Sequence, residues 1–401
     1  MAVASEIKPK TATSTNGRWR PTLDLRAYAM VFALLAIWII FQITTDGSFL
    51  TARNFSNLAR QSCITGVLAI GMVLVIVSGN IDLAVGSVVG LTGGMAAIMH
   101  VWWNWPIPAA MLATLVLGAI IGGLQGVLIS YQRIPAFIVT LAGLMIFRGV
   151  IKGATGGETV GPLPAEFKLI GQAYVGKEIG WALAILAVIA TATFLWRRQQ
   201  ARQRFGFATA PTWMTMLQIL AGTALILAFV GYLNSYEGMP VPVLILLGLA
   251  LLFHFLANKT PFGRHVYAIG GNSEAAHLSG INLPRNILAV FILMGVLSGV
   301  AGLIYTARVG SATADAGKIL ELDAIAACVI GGTSLMGGRG TIAGALVGAL
   351  VMASLDNGMS LMNVEDFFQD IIKGLILVIA VGADIASKRG RSLSAVFGIG
   401  F

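Results

Sequence analysis

Long apolar stretches separated by short polar segments make up most of this 401-residue chain. The apolar residues do not alternate with polar ones, which excludes a barrel of spanning strands. A helix needs roughly 20 mainly apolar residues to cross a bilayer, because unpaired peptide groups in hydrocarbon cost several kcal/mol. The pattern therefore predicts an all-α fold, a polytopic transmembrane helical bundle. Twelve stretches are candidate spans, at residues 28–46, 63–79, 85–102, 108–130, 134–151, 181–196, 214–233, 240–257, 287–307, 324–337, 341–361 and 370–386.

Two of these stretches, those containing Gly79 and Gly337, are short. They are as consistent with half-helices or re-entrant turns as with full crossings, so about 10–12 spans are expected. Residues 78–86 and 331–340 look alike, since each interrupts an apolar run with glycines and polar groups before a helix resumes. This likeness predicts glycine-rich broken helices and favours a parallel internal repeat, which transporters use to build a pathway between related halves.

Glycine spacing predicts close helix packing. Three triplets have glycines four residues apart, which places each triplet on one helix face, where a neighbouring backbone can approach closely. The triplets are Gly86, Gly90 and Gly94; Gly118, Gly122 and Gly126; and Gly340, Gly344 and Gly348.

Composition agrees with a membrane chain: 57% of residues are hydrophobic, 11% are charged and the mean hydropathy is +0.85. Lysines and arginines are concentrated in segments that place both termini on the cytoplasmic side. The net charge of +9 lies in short loops and tails without a basic stripe, so no nucleic-acid partner is predicted. The expected domains are a basic cytoplasmic tail at 1–27, a transmembrane domain at 28–387 with a cytoplasmic segment at 258–286, and a cytoplasmic tail at 388–401.

The sequence contains no catalytic or metal-binding constellation. Cys63 and Cys328 lie inside apolar runs and are expected to be packing residues, and the four histidines show no metal-ligand spacing. There is no Gly-x-x-x-x-Gly-Lys-Ser/Thr loop to hold nucleotide phosphates, so the chain is not expected to hydrolyse ATP. The prediction is no catalytic residue, no metal and no enzymatic activity.

Polar residues within or beside the spans are the candidates for a pathway through the membrane, because charge at membrane depth is costly and usually faces a pathway or a partner. For Asp82 a second role is equally consistent: its carboxylate can cap the helix that begins at Leu83, where free N–H groups and the dipole favour an anion. Glu321 and Asp323 are expected to be first-turn acids of the tenth span. The residues assigned to the pathway or to substrate binding are Asn80, Asp82, Asp356 and Asn357.

Residues 263–282 form a polar, glycine-punctuated segment between long apolar stretches. Asn272 is a polar cap, Glu274 is an acid in the first turn, and small residues follow, which predicts a short helix. Such a helix can seat in a groove of a partner protein, although the spacing alone favours an ordinary cytoplasmic loop. The segment is a candidate docking surface on these grounds.

Four segments together resemble the permease subunits of bacterial monosaccharide ABC importers of the ribose and xylose type. The segments are residues 79–87, 134–141, 269–282 and 322–340, in the family's order, so the resemblance covers nearly everything after the first span. Asn80 departs from the pattern, because many family members have glycine or glutamate there. The added stretch at about 158–240 and residues 354–359 resemble the longer D-xylose permeases.

The resemblance implies a permease domain that imports a monosaccharide, with D-xylose favoured, across the bacterial inner membrane by alternating access. It implies that 258–286 is a coupling segment for a separate ABC ATPase subunit, which would use ATP and magnesium while this chain binds no cofactor. The further partners implied are a periplasmic sugar-binding protein, a second permease copy in a homodimer, and membrane lipid. The residues implied to contact the ATPase are Gly270, Gly271, Asn272, Glu274, Ala275, Ala276 and Gly280.

Two other functions stay open on the residues alone. A secondary transporter driven by an ion gradient would share the spans and the glycines, but it usually needs several ionisable residues within its spans, where Asp82 is nearly alone. A membrane receptor or scaffold without transport would also fit the hydropathy. Import that persists without ATPase subunits would favour the transporter, and copurification with an ATPase would argue against the receptor.

Overall fold

The computed structural model describes residues 25–205 and 211–389, and most of the predicted tails at 1–27 and 388–401 lies outside these ranges. Two short strands, β1 (Tyr174–Val175) and β2 (Met239–Pro240), pair antiparallel. The helices are α1 (Leu25–Thr44), α2 (Ala52–Val77), α3 (Val85–Val101), α4 (Ile107–Ser130), α5 (Ala136–Thr155), α6 (Ala165–Gln172), α7 (Lys177–Arg204), α8 (Thr212–Asn234), α9 (Val241–Lys259), α10 (Pro261–Gly271), α11 (Ser273–Leu278), α12 (Leu283–Val309), α13 (Leu320–Ile330), α14 (Ile342–Leu361) and α15 (Asp366–Arg389).

Eight of the described helices are long and apolar enough to cross a membrane, namely α2, α4, α5, α7, α8, α9, α12 and α14. Two shorter apolar helices, α3 and the Met30–Thr44 part of α1, coincide with further predicted spans. The predicted all-α polytopic bundle is therefore confirmed, and ten of the twelve predicted stretches coincide with these ten helices. The twelfth stretch, 370–386, lies on α15, which is not among the helices found long and apolar enough in the described residues.

The tenth candidate span, residues 324–337, is not one continuous helix. α13 has 11 residues, about 16 Å of helix, and ends at Ile330 before a pair of glycines. The half-helix alternative is right for this segment because the glycine turn stops the helix. It is wrong for the stretch that ends near Gly79, which belongs to the 26-residue α2 and already begins at Ala52, after the cap residue Thr51.

The described chain forms two compact units. The smaller one consists of the described residues between 178 and 231, where α7 and α8 approach each other at Gly222 and Gly231. The larger one consists of residues 25–177 and the described residues from 232 onwards. Its core is built around α2, in which every residue from Cys63 to Val77 is buried.

The second glycine triplet brings two backbones of the larger unit together. Gly118 on α4 lies against the carbonyl group of Gly295 on α12, and Gly122 lies against that of Phe291. A Cβ atom at either glycine would collide with these carbonyl groups. The packing role predicted from the four-residue spacing is confirmed for this pair of helices.

The third triplet does not share one helix face. α14 begins at Ile342, because the hydroxyl of Thr341 accepts a hydrogen bond from the backbone N–H of Gly344 at 3.0 Å and caps the helix there. Gly340 therefore lies in the loop before α14. Gly344 and Gly348 do lie on one face, against carbonyl groups at the C-terminal end of α13.

Candidate functional site

Three consecutive helices in the predicted coupling segment begin with a polar side chain. At the start of α10 the hydroxyl of Thr260 accepts a hydrogen bond from the backbone N–H of Gly263 at 3.2 Å. At the start of α11, Asn272 Oδ1 accepts one from the backbone N–H of Ala275 at 2.9 Å, and Asn282 caps α12 in the same way. The predicted cap at Asn272 is confirmed, and the helix that it begins has six residues.

α11 presents an exposed surface. Ala276 is buried beneath this surface, and the side chain of Leu278 at the end of α11 is 81% exposed. Contact with an ATPase subunit stays a prediction. The predicted contact residues that are exposed are Gly271, Asn272, Glu274, Ala275 and Gly280.

α10, in contrast, is packed against the core. Val266 is fully buried, and the hydroxyl of Tyr267 donates a hydrogen bond to the carbonyl oxygen of Gly340 at 2.7 Å. Burial raises the pKa of Tyr267, which keeps its hydroxyl protonated and able to donate. Gly270 lies against the carbonyl oxygen of Val77, where a Cβ atom would collide. Among the predicted ATPase contacts, Gly270 is therefore directed at the core of this chain.

The last turn of α10, the end of α2 and the loop before α14 meet at one point. The backbone N–H of Gly338 donates a hydrogen bond to the carbonyl oxygen of Val77 at 2.9 Å, beside Gly270. We call this point the junction, and it comprises Val77, Tyr267, Gly270, Gly338 and Gly340. It connects the coupling segment to both glycine-rich interruptions of the sequence.

Asn80 lies beside the coupling segment. Its amide nitrogen donates to the hydroxyl of Ser78 at 3.0 Å, and its side chain lines a cleft of about 560 Å³. Glu274 on α11 and Arg133 in the connection between α4 and α5 line the same cleft. The structure therefore brings Asn80 close to a predicted ATPase-contact residue, while its role in a pathway stays a prediction.

Asp82 is buried just before α3. Its Oδ1 atom accepts a hydrogen bond from the backbone N–H of Ala84 at 2.8 Å. This is the kind of contact expected of a capping carboxylate, although the helix begins at Val85 rather than at Leu83. The contact is nevertheless a turn within the loop, because Ala84 is the cap residue of α3 and no side chain caps that helix. The capping alternative is therefore wrong in its detail, and the pathway role stays a prediction.

Asp356 forms an ion triad with Lys373 and Asp323, neither of which was assigned to a site from the sequence. Lys373 Nζ on α15 lies 2.7 Å from Asp356 Oδ1 on α14 and 3.4 Å from Asp323 Oδ2 on α13. The lysine and Asp323 side chains are largely shielded, with 15% and 5% of their surface exposed. A single ammonium group between two carboxylates therefore joins three helices, and we call these residues the ion triad.

Asn357 is paired with Asn54 at the start of α2. Each amide nitrogen donates to the other residue's amide oxygen, at 2.7 and 3.1 Å. Each amide thus donates one hydrogen bond to the other and accepts one from it, which joins α14 to α2. Like Asp356, Asn357 thus has a partner within the chain, and its contact with a substrate stays a prediction.

Sequence reasoning missed the ion triad and undercounted the ionisable groups of the helices. Asp323 was expected to be a simple first-turn acid, and Lys373 lies at the start of an apolar run. Glu321 is also buried, with its carboxylate against Gly86 on α3, so Asp82 is not nearly alone. A lysine within the last apolar helix was the available signal. In the described part of the chain, no three His, Cys, Asp or Glu side chains are grouped so as to hold a metal ion.

Comparison with known proteins finds permeases. The family model described as "branched-chain amino acid transport system / permease component" matches residues 54–381. The chain is 48% identical over 385 residues to the xylose transport system permease protein XylH of Escherichia coli (strain K12), covering 96% of this chain and 98% of that relative. It is 47% identical over 368 residues to XylH of Haemophilus influenzae, covering 92% and 98%.

A more distant relative has a different sugar in its name. The ribose import permease protein RbsC of Escherichia coli (strain K12) is 35% identical over 356 residues, covering 88% of this chain and 92% of that relative. No solved structure matches the chain. Because the family model spans most of the sequence and the relatives align along nearly their whole length, the chain belongs to the branched-chain amino acid transport system / permease component family.

Proposed function

We propose that this chain is the membrane-spanning subunit of an ATP-driven importer of a monosaccharide, and that the sugar is D-xylose. The observation that carries the proposal is 48% identity to a xylose transport system permease over 96% of the chain. The ribose import permease, at 35% identity, supports the sugar class and ranks ribose second. The chain supplies the conduit, and ATP hydrolysis with magnesium takes place in a separate ATPase subunit.

The coupling segment has an exposed helix, α11, and a helix packed against the core, α10, as expected of a chain that is driven by a separate ATPase subunit. The exposed face of α11, with Glu274 and Leu278, is the surface that we assign to the ATPase subunit. α10 joins this face to the core through Tyr267 and Gly270. A transport cycle requires the ATPase to favour one arrangement of the permease over another, so its contact surface must be connected to elements that move.

Exposed apolar side chains support contact with lipid and with a second copy. On α4 they recur at every fourth residue, on the side of the helix away from the glycine triplet. We propose a multi-pass subunit of the bacterial inner membrane, with both termini in the cytoplasm. It pairs with a second copy of itself and receives sugar from a periplasmic binding protein. The exposed residues of this stripe are Leu112, Val116, Ile120 and Leu124.

Reconstitution tests this function. The chain is placed in sealed vesicles with its ATPase subunit outside and with the sugar-binding protein and labelled sugar inside, which reproduces the import direction. We expect ATP-dependent movement of D-xylose that exceeds movement of ribose and persists when an ionophore removes ion gradients. Sugar movement without ATPase subunits, abolished by the ionophore, would instead identify an ion-driven transporter.

A variant of the exposed face tests the assignment of α11. Glu274→Ala is expected to lower ATP-dependent import about tenfold, because a hydrogen bond to a charged group is worth about 1.5–3 kcal/mol. Glu158→Ala, at an exposed glutamate in the loop after α5, is the matched control and should import normally. Normal import by Glu274→Ala would show that Glu274 is not a contact of the ATPase subunit. It would not contradict the proposed transport function.

A further inference from the structure

The junction holds α10 with backbone contacts and one side-chain hydrogen bond. Gly270 touches the Val77 carbonyl oxygen directly, and Gly338 donates to the same oxygen at 2.9 Å. The hydroxyl of Tyr267 reaches the Gly340 carbonyl at 2.7 Å. Contacts between backbones leave no rotatable side chain to absorb a displacement, so a shift of α10 must be passed on to its neighbours.

The neighbours are the two places where the membrane helices are interrupted. Val77 is the last residue of α2 before the turn at Gly79, and Gly338 and Gly340 lie between α13 and α14. Gly337 and Gly338 also adopt positive φ angles of 83° and 70°, which makes this loop a sharply folded structure. A single attachment of α10 therefore acts on both interruptions together.

The loop is closed on itself as well as on α10. The backbone N–H of Ser334 donates to the carbonyl oxygen of Arg339 at 2.8 Å, and that of Gly337 donates to the carbonyl oxygen of Ser334 at 3.0 Å. These bonds make the loop a compact body between α13 and α14. The hydrogen bond from Tyr267 to Gly340 attaches α10 to this body at its α14 end.

We propose that Tyr267 and Gly270 are positioning residues that transmit displacement of α11, through the junction, to both helix interruptions and so couple ATP hydrolysis to sugar movement. This inference rests on the proposed importer function. It assigns the transmission to α10 and leaves the exposed face of α11 as the contact with the ATPase. Tyr267 is the residue to vary, because its hydroxyl makes a single hydrogen bond to the loop and can be removed while the ring is kept.

A purely structural role would give a different result from a coupling role. If Tyr267 only stabilised the fold, its loss would reduce the amount of assembled complex and would lower ATP turnover and import in proportion. If it transmits motion, the complex assembles and hydrolyses ATP, but fewer sugar molecules move for each ATP consumed. The ratio of sugar moved to ATP hydrolysed therefore separates the two roles.

The test uses Tyr267→Phe, which removes the hydroxyl and keeps the ring. In vesicles containing permease, ATPase and binding protein, we expect this variant to assemble normally and to lower the ratio of sugar to ATP at least about fivefold, since it leaves the Gly340 carbonyl without its donor. Tyr236→Phe, at a tyrosine in the loop between α8 and β2, is the matched control and should keep the wild-type ratio. An unchanged ratio for Tyr267→Phe, or a loss that only follows reduced assembly, overturns the inference.

A distance measurement tests the same inference without relying on transport. Ala268 on α10 is exposed, Met336 in the loop before α14 is 81% exposed, and both can carry spin labels as cysteine substitutions. We expect the distance between the labels to be the same in the nucleotide-free and ATP-trapped complexes, because α10 and the loop move as one body, and to broaden in Tyr267→Phe. A distance that changes between the two states in the wild-type background overturns the inference. Wild-type vesicles that show no ATP-dependent import would overturn the proposed function instead.

Discussion

Two interruptions of the membrane helices, the first at residues 78–84 and the second at 331–341, can be compared directly. In the first, the backbone N–H of Asn80 donates to the carbonyl oxygen of Val75 at 3.1 Å, and Gly79 has a φ of +83°. This is a Schellman-type ending, in which a residue in the left-handed conformation lets the chain turn back and satisfy a free carbonyl group of the helix. Glycine takes that conformation without strain.

The second interruption ends α13 with the same turn. The backbone N–H of Thr333 donates to the carbonyl oxygen of Cys328 at 2.9 Å, and Gly332 has a φ of +84°. The likeness seen between the two sequences is therefore a likeness of helix endings. Such endings are common among helices, so the parallel repeat stays a prediction. Both turns lead into the junction.

The helices before the two turns differ. α2 has 26 residues and is long enough to cross a membrane, whereas α13 has 11 and is not. The segment before α13 lies on α3, where Ala316 and Gly317 meet Gly90 and Gly86. Irregular backbone at membrane depth is tolerated where protein buries it, and α3 covers the segment before α13 in this way.

The largest effect is expected at the ion triad, which joins the short helix α13 to α14 and α15. Lys373→Met leaves Asp323 and Asp356 as buried carboxylates without their shared cation, which should cost about 3–5 kcal/mol of folding stability. We expect a much lower midpoint of thermal unfolding in detergent and little folded protein in membranes. The first interruption contains no such ion pair. A loss of stability in this variant would therefore show that an ion pair stabilises the second interruption and not the first.

Two further variants give this prediction its controls. Lys259→Met, at an exposed lysine at the end of α9, should change stability by no more than about 0.5 kcal/mol. Adding Asp323→Asn and Asp356→Asn to Lys373→Met removes the unpaired charges and should recover part of the loss. If Lys373→Met alone unfolds at the wild-type temperature, the ion triad does not support α13.

A smaller effect is expected where α3, the helix after the first interruption, contacts the segment before α13. Gly86→Ala places a methyl group against the carbonyl group of Gly317 and the carboxylate of Glu321, and overpacking of this kind costs about 1–3 kcal/mol. Gly149→Ala on α5 meets nothing within 4 Å and should be neutral or slightly stabilising. Thermal unfolding of the two variants side by side would show whether α3 is packed against the segment before α13. Equal midpoints would contradict that packing.

The parts of the fold that depend on nearby residues could be predicted from the sequence. Apolar runs placed α3 and α4 to within a residue of their observed ends, at Val85–Val101 and Ile107–Ser130. The cap at Asn272 could be predicted because a cap and its partner are close in sequence. Here the partner is the N–H of Ala275, three residues further on. Length, hydropathy and capping are local properties, and one sequence is sufficient to judge them.

The contacts that make the candidate site could not be predicted in this way. The polar and glycine residues were found, but nothing in the sequence indicates that Gly270 meets Val77, because the two lie far apart along the chain. Nor does the sequence indicate the partners of Lys373, because its two carboxylates come from different helices. A single sequence gives residue types and periodicities, and it does not give the pairing of helices that brings these groups together.

The smallest effect is expected at the starts of the helices that follow the two interruptions. α14 is capped by the hydroxyl of Thr341, and the backbone before α3 is held by the carboxylate of Asp82. Thr341→Val should cost about 1 kcal/mol, as does the loss of a typical cap. Asp82→Asn should cost less, because the amide oxygen can still accept from Ala84, and sugar import should stay within about twofold of wild type. Normal stability of Asp82→Asn combined with lost import would assign the charge of Asp82 to the pathway, since the hydrogen bond from Ala84 needs only an oxygen and a pathway contact would need the carboxylate.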